Sequence, residues 1–348
     1  MRNVGKKIRL HCAWLAILLI IVILFASSVG SANLSMLDSL KIILMRIPFL
    51  NRLVDGGEYR EVYIKIIWQV RLPRIFLAGI CGSSLAIVGA CFQGLFRNPL
   101  ADPHILGISS GAAVGATIAM LSGISMTFLG LGVVGIFAFI GALITALIVY
   151  QISCVGNKLP VVHILLTGTA VNSMLSSFIS LVMSLDREQI EKVYLWTLGS
   201  FSASNWKKVL FLFCVAVVCS ITIGVYSKEL NLISTGEETA ESLGVDTVRA
   251  KKVLIAVGSL LVAACVSVSG IIGFVGLIIP HCIRLISGPK YQKLIPLSCF
   301  LGAIFMILCD TIARILISPS ELPVGVITSI LGAPYFIFLL QRNKRKMV

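Results

Sequence analysis

The sequence predicts an all-α polytopic membrane protein of about ten transmembrane helices, and three observations carry that reading. Of 348 residues, 57% are apolar and 13% charged, and the mean hydropathy is +1.00; a soluble core of this size cannot bury so many apolar side chains. Charge-free windows recur at the length of about 20 residues that a helix needs to cross the hydrocarbon layer. Finally, 29 Lys and Arg stand against 15 Asp and Glu, an excess that fits the basic bias of cytoplasmic loops.

The windows follow one another along a single transmembrane domain, 1–348, and each has a reason to start and stop. The first span, 12–32, follows Arg2, Lys6, Lys7 and Arg9 and ends in Ser27, Ser28, Gly30 and Ala32. That layout also resembles a signal peptide, although the run is long for one. The second span, 72–95, opens on Leu72-Pro73, and Asn98-Pro99 and Asp102-Pro103 then force a compact turn. Residues 103–157 carry no charge and must fold back once, at Ser122 to Ser125, which gives spans 104–122 and 126–150. Spans 160–184 and 207–227 come next. Residues 253–283 are too long for one span and break at Gly270, Gly273 and Gly276, giving 250–270 and 272–288. Spans 294–316 and 323–341 finish the count, with Pro160, Pro296 and Pro323 read as first-turn prolines.

With both ends of the chain inside, 17 basic and 6 acidic residues face the cytoplasm, and 12 and 9 face outward. Most of the net +14 is then an orientation signal, and no nucleic-acid partner is needed to explain it. Cys81, Cys91, Cys214, Cys219, Cys265 and Cys299 lie in apolar runs without metal-ligand spacing and read as small packing residues. The four histidines are scattered and suggest no metal site. No G-x-x-x-x-G-K-[ST] phosphate loop occurs, so the chain has no usual means of using ATP itself. A protease within the membrane would need Ser109 to meet His163.

Five features can carry function. Residues 38–74 mix four acids with seven bases and end in Arg71-Leu72-Pro73-Arg74; these arginines either anchor the helix at the interface or dock an acidic partner. Arg314 follows Asp310 by four residues, the spacing of a helical ion pair. Gly107, Gly111 and Gly115, spaced by four, offer a face for close helix packing. In the fifth span Thr169, Asn172 or Ser173, Ser176 or Ser177, Ser180 and Ser184 recur at three- and four-residue spacing as one polar stripe, which either bonds to a neighbouring helix or lines a path for a polar solute. Between the sixth and seventh spans, a short helix over about 235–244 has candidate N-caps Ser234 and Thr235, capping partners Glu237 and Glu238, and a stop at Gly244 after Leu243. A helix this short needs a surface to lie on.

Several segments resemble the FecCD-type permeases of ABC importers, which handle iron-siderophores, haem and cobalamin. They are RLPRIFLAGICGSSLAIVGACFQGLFRNPLADPHILGISSGAAVG (71–115), WTLGSFS (196–202), ETAESLGVD (238–246), GFVGLIIPHCIRL (273–285), DTIAR (310–314) and ELPVGVITSILGAPYFIFLL (321–340). The resemblance implies a type II importer permease of ten helices in the cytoplasmic membrane, with both ends inside. It pairs with a second copy or a paralogue, rests on two cytoplasmic ATPase subunits and meets a solute-binding protein outside. By this resemblance Arg71, Arg74 and Arg314 dock the binding protein, and Glu237, Glu238, Thr239, Ala240, Leu243 and Gly244 form the coupling helix seated on an ATPase subunit. Thr169, Ser173, Ser176, Ser177 and Ser180 lie beside the pathway.

No covalent chemistry and no cofactor of its own are expected of the chain; ATP and Mg are used by the partner ATPase. Ferric siderophore is the first expected cargo, with haem or cobalamin next. The competing class is a stand-alone secondary transporter or channel for a polar solute. Residues 33–62 diverge from the family pattern, and their role is open.

Overall fold

The computed structural model describes residues 2–30, 34–47, 59–124, 126–156 and 159–347. Ser125, residues 48–58 of the long divergent segment, and the side chains of Arg2, Lys6, Lys7 and Arg9 lie outside the described part. Its helices are α1 (Arg2–Ser28), α2 (Met36–Met45), α3 (Glu61–Lys65), α4 (Leu72–Leu95), α5 (Ile108–Ser122), α6 (Val133–Ser153), α7 (Val161–Leu185) and α8 (Ile190–Thr197). They continue as α9 (Trp206–Val225), α10 (Ser227–Thr235), α11 (Glu237–Ser242), α12 (Thr247–Ser269), α13 (Val275–Ser287), α14 (Tyr291–Ile315) and α15 (Val324–Met347). Each of the ten expected spans corresponds to one of α1, α4, α5, α6, α7, α9, α12, α13, α14 and α15. Seven of these meet the length and hydropathy of a membrane span, and α5, α13 and α15 contribute shorter apolar stretches.

Several boundaries differ from those expected, for local reasons. The third span starts at Ile108 because Asp102 caps a 3-10 turn, Pro103–Leu106, and Gly107 then turns the chain in a left-handed conformation (φ 69°). The fourth starts at Val133 because Thr127–Phe128 (β1) and Leu131–Gly132 (β2) form a small antiparallel hairpin. The ninth starts at Tyr291, so Pro296 lies inside α14 and does not mark its start. Pro296 falls in the second turn, where its missing N–H removes one bond of the ladder.

α4 is the axis of the molecule: 21 of its 24 residues are buried, and it packs against α14, α13, α12 and α9. Small residues allow this. A Cβ on Gly89 would overlap the carbonyl of Gly276, so α4 and α13 meet backbone to backbone. α5 and α6 form a second close pair through Gly111 and Gly141. α1 lies on α14, and α2 lies on α1. Ser35 caps α2, and Asp38 accepts hydrogen bonds from the hydroxyls of Ser35 (2.6 Å) and Tyr59 (3.0 Å), which hold its carboxyl below the usual carboxylate range. All cysteines are free thiols; Cys81, Cys91, Cys219, Cys265 and Cys309 are buried in helix contacts, while Cys214 is exposed.

Candidate functional site

The three predicted docking arginines converge at one end of the bundle, and all point inward. Arg74, at the start of α4, donates from Nε and Nη2 to Asp310 of α14 at 2.9–3.0 Å, and from Nη1 to Glu321 at 2.8 Å. Arg314 lies 3.4 Å from the same Asp310, the expected ion pair one helical turn away. Its Nη atoms also donate to the carbonyls of Val29 and Ala26. Arg71 donates to the carbonyls of Ser27 (2.6 Å) and Ser28 (3.1 Å). The last carbonyls of a helix lack partners of their own and carry partial negative charge. Arg71 and Arg314 thus cap α1 from two sides, and Arg74 joins α4 to α14. Glu321, 41% exposed at its side chain, is the solvent-facing member of this cluster.

At the opposite end of α12, the expected inner helix is α11, and its caps differ from those predicted. Ser234 and Thr235 belong to the last turn of α10 and donate back to the carbonyls of Asn231 and Leu232. Gly236, with φ 155°, supplies the break between α10 and α11. Hydroxyl groups three residues before the glutamates look like caps in sequence, but a helix already occupies their backbone. Gly244 (φ 84°) ends the turn as expected.

α11 is tied to α12 twice. Lys251 Nζ meets Glu237 Oε1 at 2.5 Å, and Thr247 donates to Glu241 at 2.6 Å. Ala240 is buried beneath the helix, while Leu243 is 62% exposed. Glu237, Glu238, Thr239 and Arg97 border a polar cleft of about 520 Å³ beside it.

α7 contrasts with α4. Of its 25 residues only Ile164 and Gly168 are buried, and Thr169, Asn172, Ser173, Ser176, Ser177 and Ser180 are all exposed. Thr169, Ser177 and Ser180 donate to carbonyls one turn earlier, those of Leu165, Ser173 and Ser176. Asn172 reaches across to α5, where its Oδ1 accepts from Ser110.

Gly111 and Gly115 lie against the backbone of α6 at Gly141 and Phe137, but Gly107 is the left-handed cap before α5 and not part of its helical face. Ser109 bonds His104, not His163, and His104 Nε2 is 2.9 Å from the Ile272 carbonyl. His281 and Cys282 of α13 both meet the hydroxyl of Tyr335 on α15.

Nothing in the sequence alone singles out Glu321 or Lys251 as a partner in these contacts. The available signals were an acid just before the last span and a lysine two turns beyond a loop that holds three glutamates.

Residues 18–342 match the model of the FecCD transport family. The chain is 44% identical over 278 residues to the cobalamin import system permease protein BtuC of Halobacterium salinarum, covering 79% of this chain and 73% of that one. It is 35% identical over 340 residues to the hemin transport system permease protein HmuU of Yersinia pestis, covering 97% of both. A solved metal-chelate type ABC transporter in an inward-facing conformation superposes with a TM-score of 0.81 at 34% identity, over 95% of this chain and 98% of that one. The motifs quoted from Arg71 onward and the ten-span bundle thus have one common explanation: the chain belongs to the FecCD transport family, as an ABC transporter permease.

Proposed function

We propose that the chain is the membrane-spanning subunit of an ATP-driven importer in the cytoplasmic membrane, with both ends inside, and that it carries a ferric siderophore as first choice and haem or cobalamin next. The observation that carries this reading is α7. A span of 25 residues with two buried and a row of hydroxyl and amide side chains on its surface is unfinished in a single chain. A second permease copy or paralogue beside it would bury its apolar residues and enclose the polar row as a path.

The two ends of the molecule support the rest. Leu243, exposed beside the cleft at α11, suits a groove on a cytoplasmic ATPase subunit, which binds the ATP and Mg. Closure of two such subunits would press on α11 and switch the path between its two openings. The arginine end suits a solute-binding protein. Since Arg71, Arg74 and Arg314 already hold internal acceptors, an arriving carboxylate exchanges with one of these, and Glu321 is the most exposed candidate.

Cysteines placed singly at 173, 177 and 180 are expected to react with water-soluble thiol reagents in at least one transport state. Protection of all three in every state would reject the path. Uptake that persists after the copurifying ATPase is removed, driven by an ion gradient, would reject the importer and favour a secondary transporter. The ligand held by the copurifying binding protein identifies the cargo.

A further inference from the structure

A groove of about 290 Å³ runs between α1 and α9, with α4 as its floor and α14 behind. We propose that it is a binding site for one lipid acyl chain, in the leaflet at the arginine end. Its floor includes Gly79, Ser83 and Ile87, and its walls Ile23, Val217 and Ala303. Three serines belong to its lining, Ser83, Ser84 and Ser220: Ser83 turns its hydroxyl to the Cys299 carbonyl at 2.8 Å, and the Ser84 hydroxyl oxygen is buried away from the open space. Water needs two or more polar partners to occupy such a space, and a void forfeits dispersion contacts along its whole length.

The groove opens outward past Phe213 and Val217 on α9, both exposed, and beside it Ile20 and Ile21 of α1 are exposed as well. Methylene chains are therefore what reaches it. From Ile75 to Ile87 the floor runs about 18 Å at 1.5 Å per residue, close to half of a hydrocarbon core about 30 Å thick. Phe76 lines its end nearest the arginines and stands beside two tryptophans. Phe76 and Trp206 lie 5.8 Å apart between centroids, Trp206 and Trp68 6.5 Å apart, and Trp206 Nε1 donates to the Trp68 carbonyl at 2.8 Å. Tryptophan at this level is characteristic of the headgroup boundary. A second copy of the chain is the less suitable occupant, since α7, the least buried of the seven long apolar helices, packs on α5 and α6, whereas α1 and α9 wall the groove.

The full-length chain in vesicles containing phosphatidylglycerol with a diazirine at mid-chain tests the site. Label is expected on residues 299–307 of α14, where Ala303 and Ile307 are buried behind α1 and α9, as well as on the lipid-facing surface of α6. Label on α6 with none on 299–307, or cross-links from 299–307 to a second copy, would overturn the proposal. Ala216→Phe, which fills the groove from α9, should reduce labelling of 299–307 at least fivefold and leave α6 labelling unchanged. Undiminished labelling in a folded A216F protein would likewise overturn it. Should that variant not fold, the wild-type labelling pattern decides alone.

Discussion

Lys251 Nζ of α12 lies 2.5 Å from Glu237 Oε1 of α11, and the lysine side chain is 6% exposed. Removing the ammonium breaks this pair and leaves Glu237, 39% exposed at its side chain, without its charged tie to α12. Lys251→Met is therefore expected to separate α11 from α12: ATPase stimulation by the loaded binding protein should persist while uptake falls at least tenfold. The exchanged pair Lys251→Glu with Glu237→Lys should recover part of the uptake. Uptake at the wild-type level in Lys251→Met would mean that the Thr247 to Glu241 hydrogen bond suffices.

At the arginine end, Asp310 is shared by Arg74 and Arg314 and is 2% exposed at its side chain. Asp310→Ala leaves two guanidinium groups beside an empty acceptor site, and breaking a buried pair in this way typically costs about 3–5 kcal/mol. The thermal midpoint in detergent should fall clearly. Arg74→Met with Asp310→Leu should lose less than the two single changes added together, because Arg74 is no longer left beside an empty acceptor site and only Arg314 still loses its acid. Additive losses would show that the pair is not the unit.

The docking role of the same arginines has its own test. Arg71→Glu with Arg74→Glu should weaken capture of the binding protein, and the loss should grow as ionic strength is lowered and screening weakens. Capture equal to wild type in a folded variant would remove these residues from the docking face.

Two glycines of similar sequence context make a controlled comparison. Gly89→Ala forces a methyl into the Gly276 carbonyl, and overpacking of this sort costs about 1–3 kcal/mol. Gly224→Ala on α9 meets nothing within 4 Å and should be neutral or stabilising by up to about 1 kcal/mol through helix propensity. The order of the two melting temperatures is the measurement, and a reversed order would contradict the backbone contact between α4 and α13.

Asp38 supplies a pH dependence. Its carboxyl is held below the usual carboxylate range, first by the Ser35 hydroxyl and then by that of Tyr59. Its contribution is therefore complete above the unfolded value of about 3.9 and lost as pH falls through the lower folded value. Amide protection of α2 should decline below about pH 4, and Asp38→Asn should remove that step. A decline centred near pH 6 would implicate another group.

The order of the long helices was legible because a bilayer imposes a length that can be counted in charge-free windows, and seven of them meet it. Turns were legible where one residue dictates the backbone, as at Gly244 and Gly270. What stayed hidden was set by partners remote in sequence. Nothing near Arg74 announces Asp310 or Glu321, and Lys251 gives no hint of Glu237 except proximity across one loop. Local signals also competed: Ser234 and Thr235 satisfy the rule for starting a helix, yet they close α10. Residues 127–132 are apolar enough to extend a span, but Gly130 at φ 81° turns them into a hairpin. The stripe on α7 was visible in full, and its exposure is something only the neighbouring helices could settle.

The pairing of Arg74 with Asp310 also sets a schedule for the growing chain. The two residues are 236 positions apart, so at a synthesis rate of about 5–20 residues per second the arginine waits roughly 12–47 s for its acid. Throughout that interval α4 stands in the membrane with a cation at its mouth and without α14, the helix that carries its acid. Nascent chains halted before residue 310 should accordingly be the form most exposed to membrane quality-control proteases, and release of the last two spans should end that exposure in a single step.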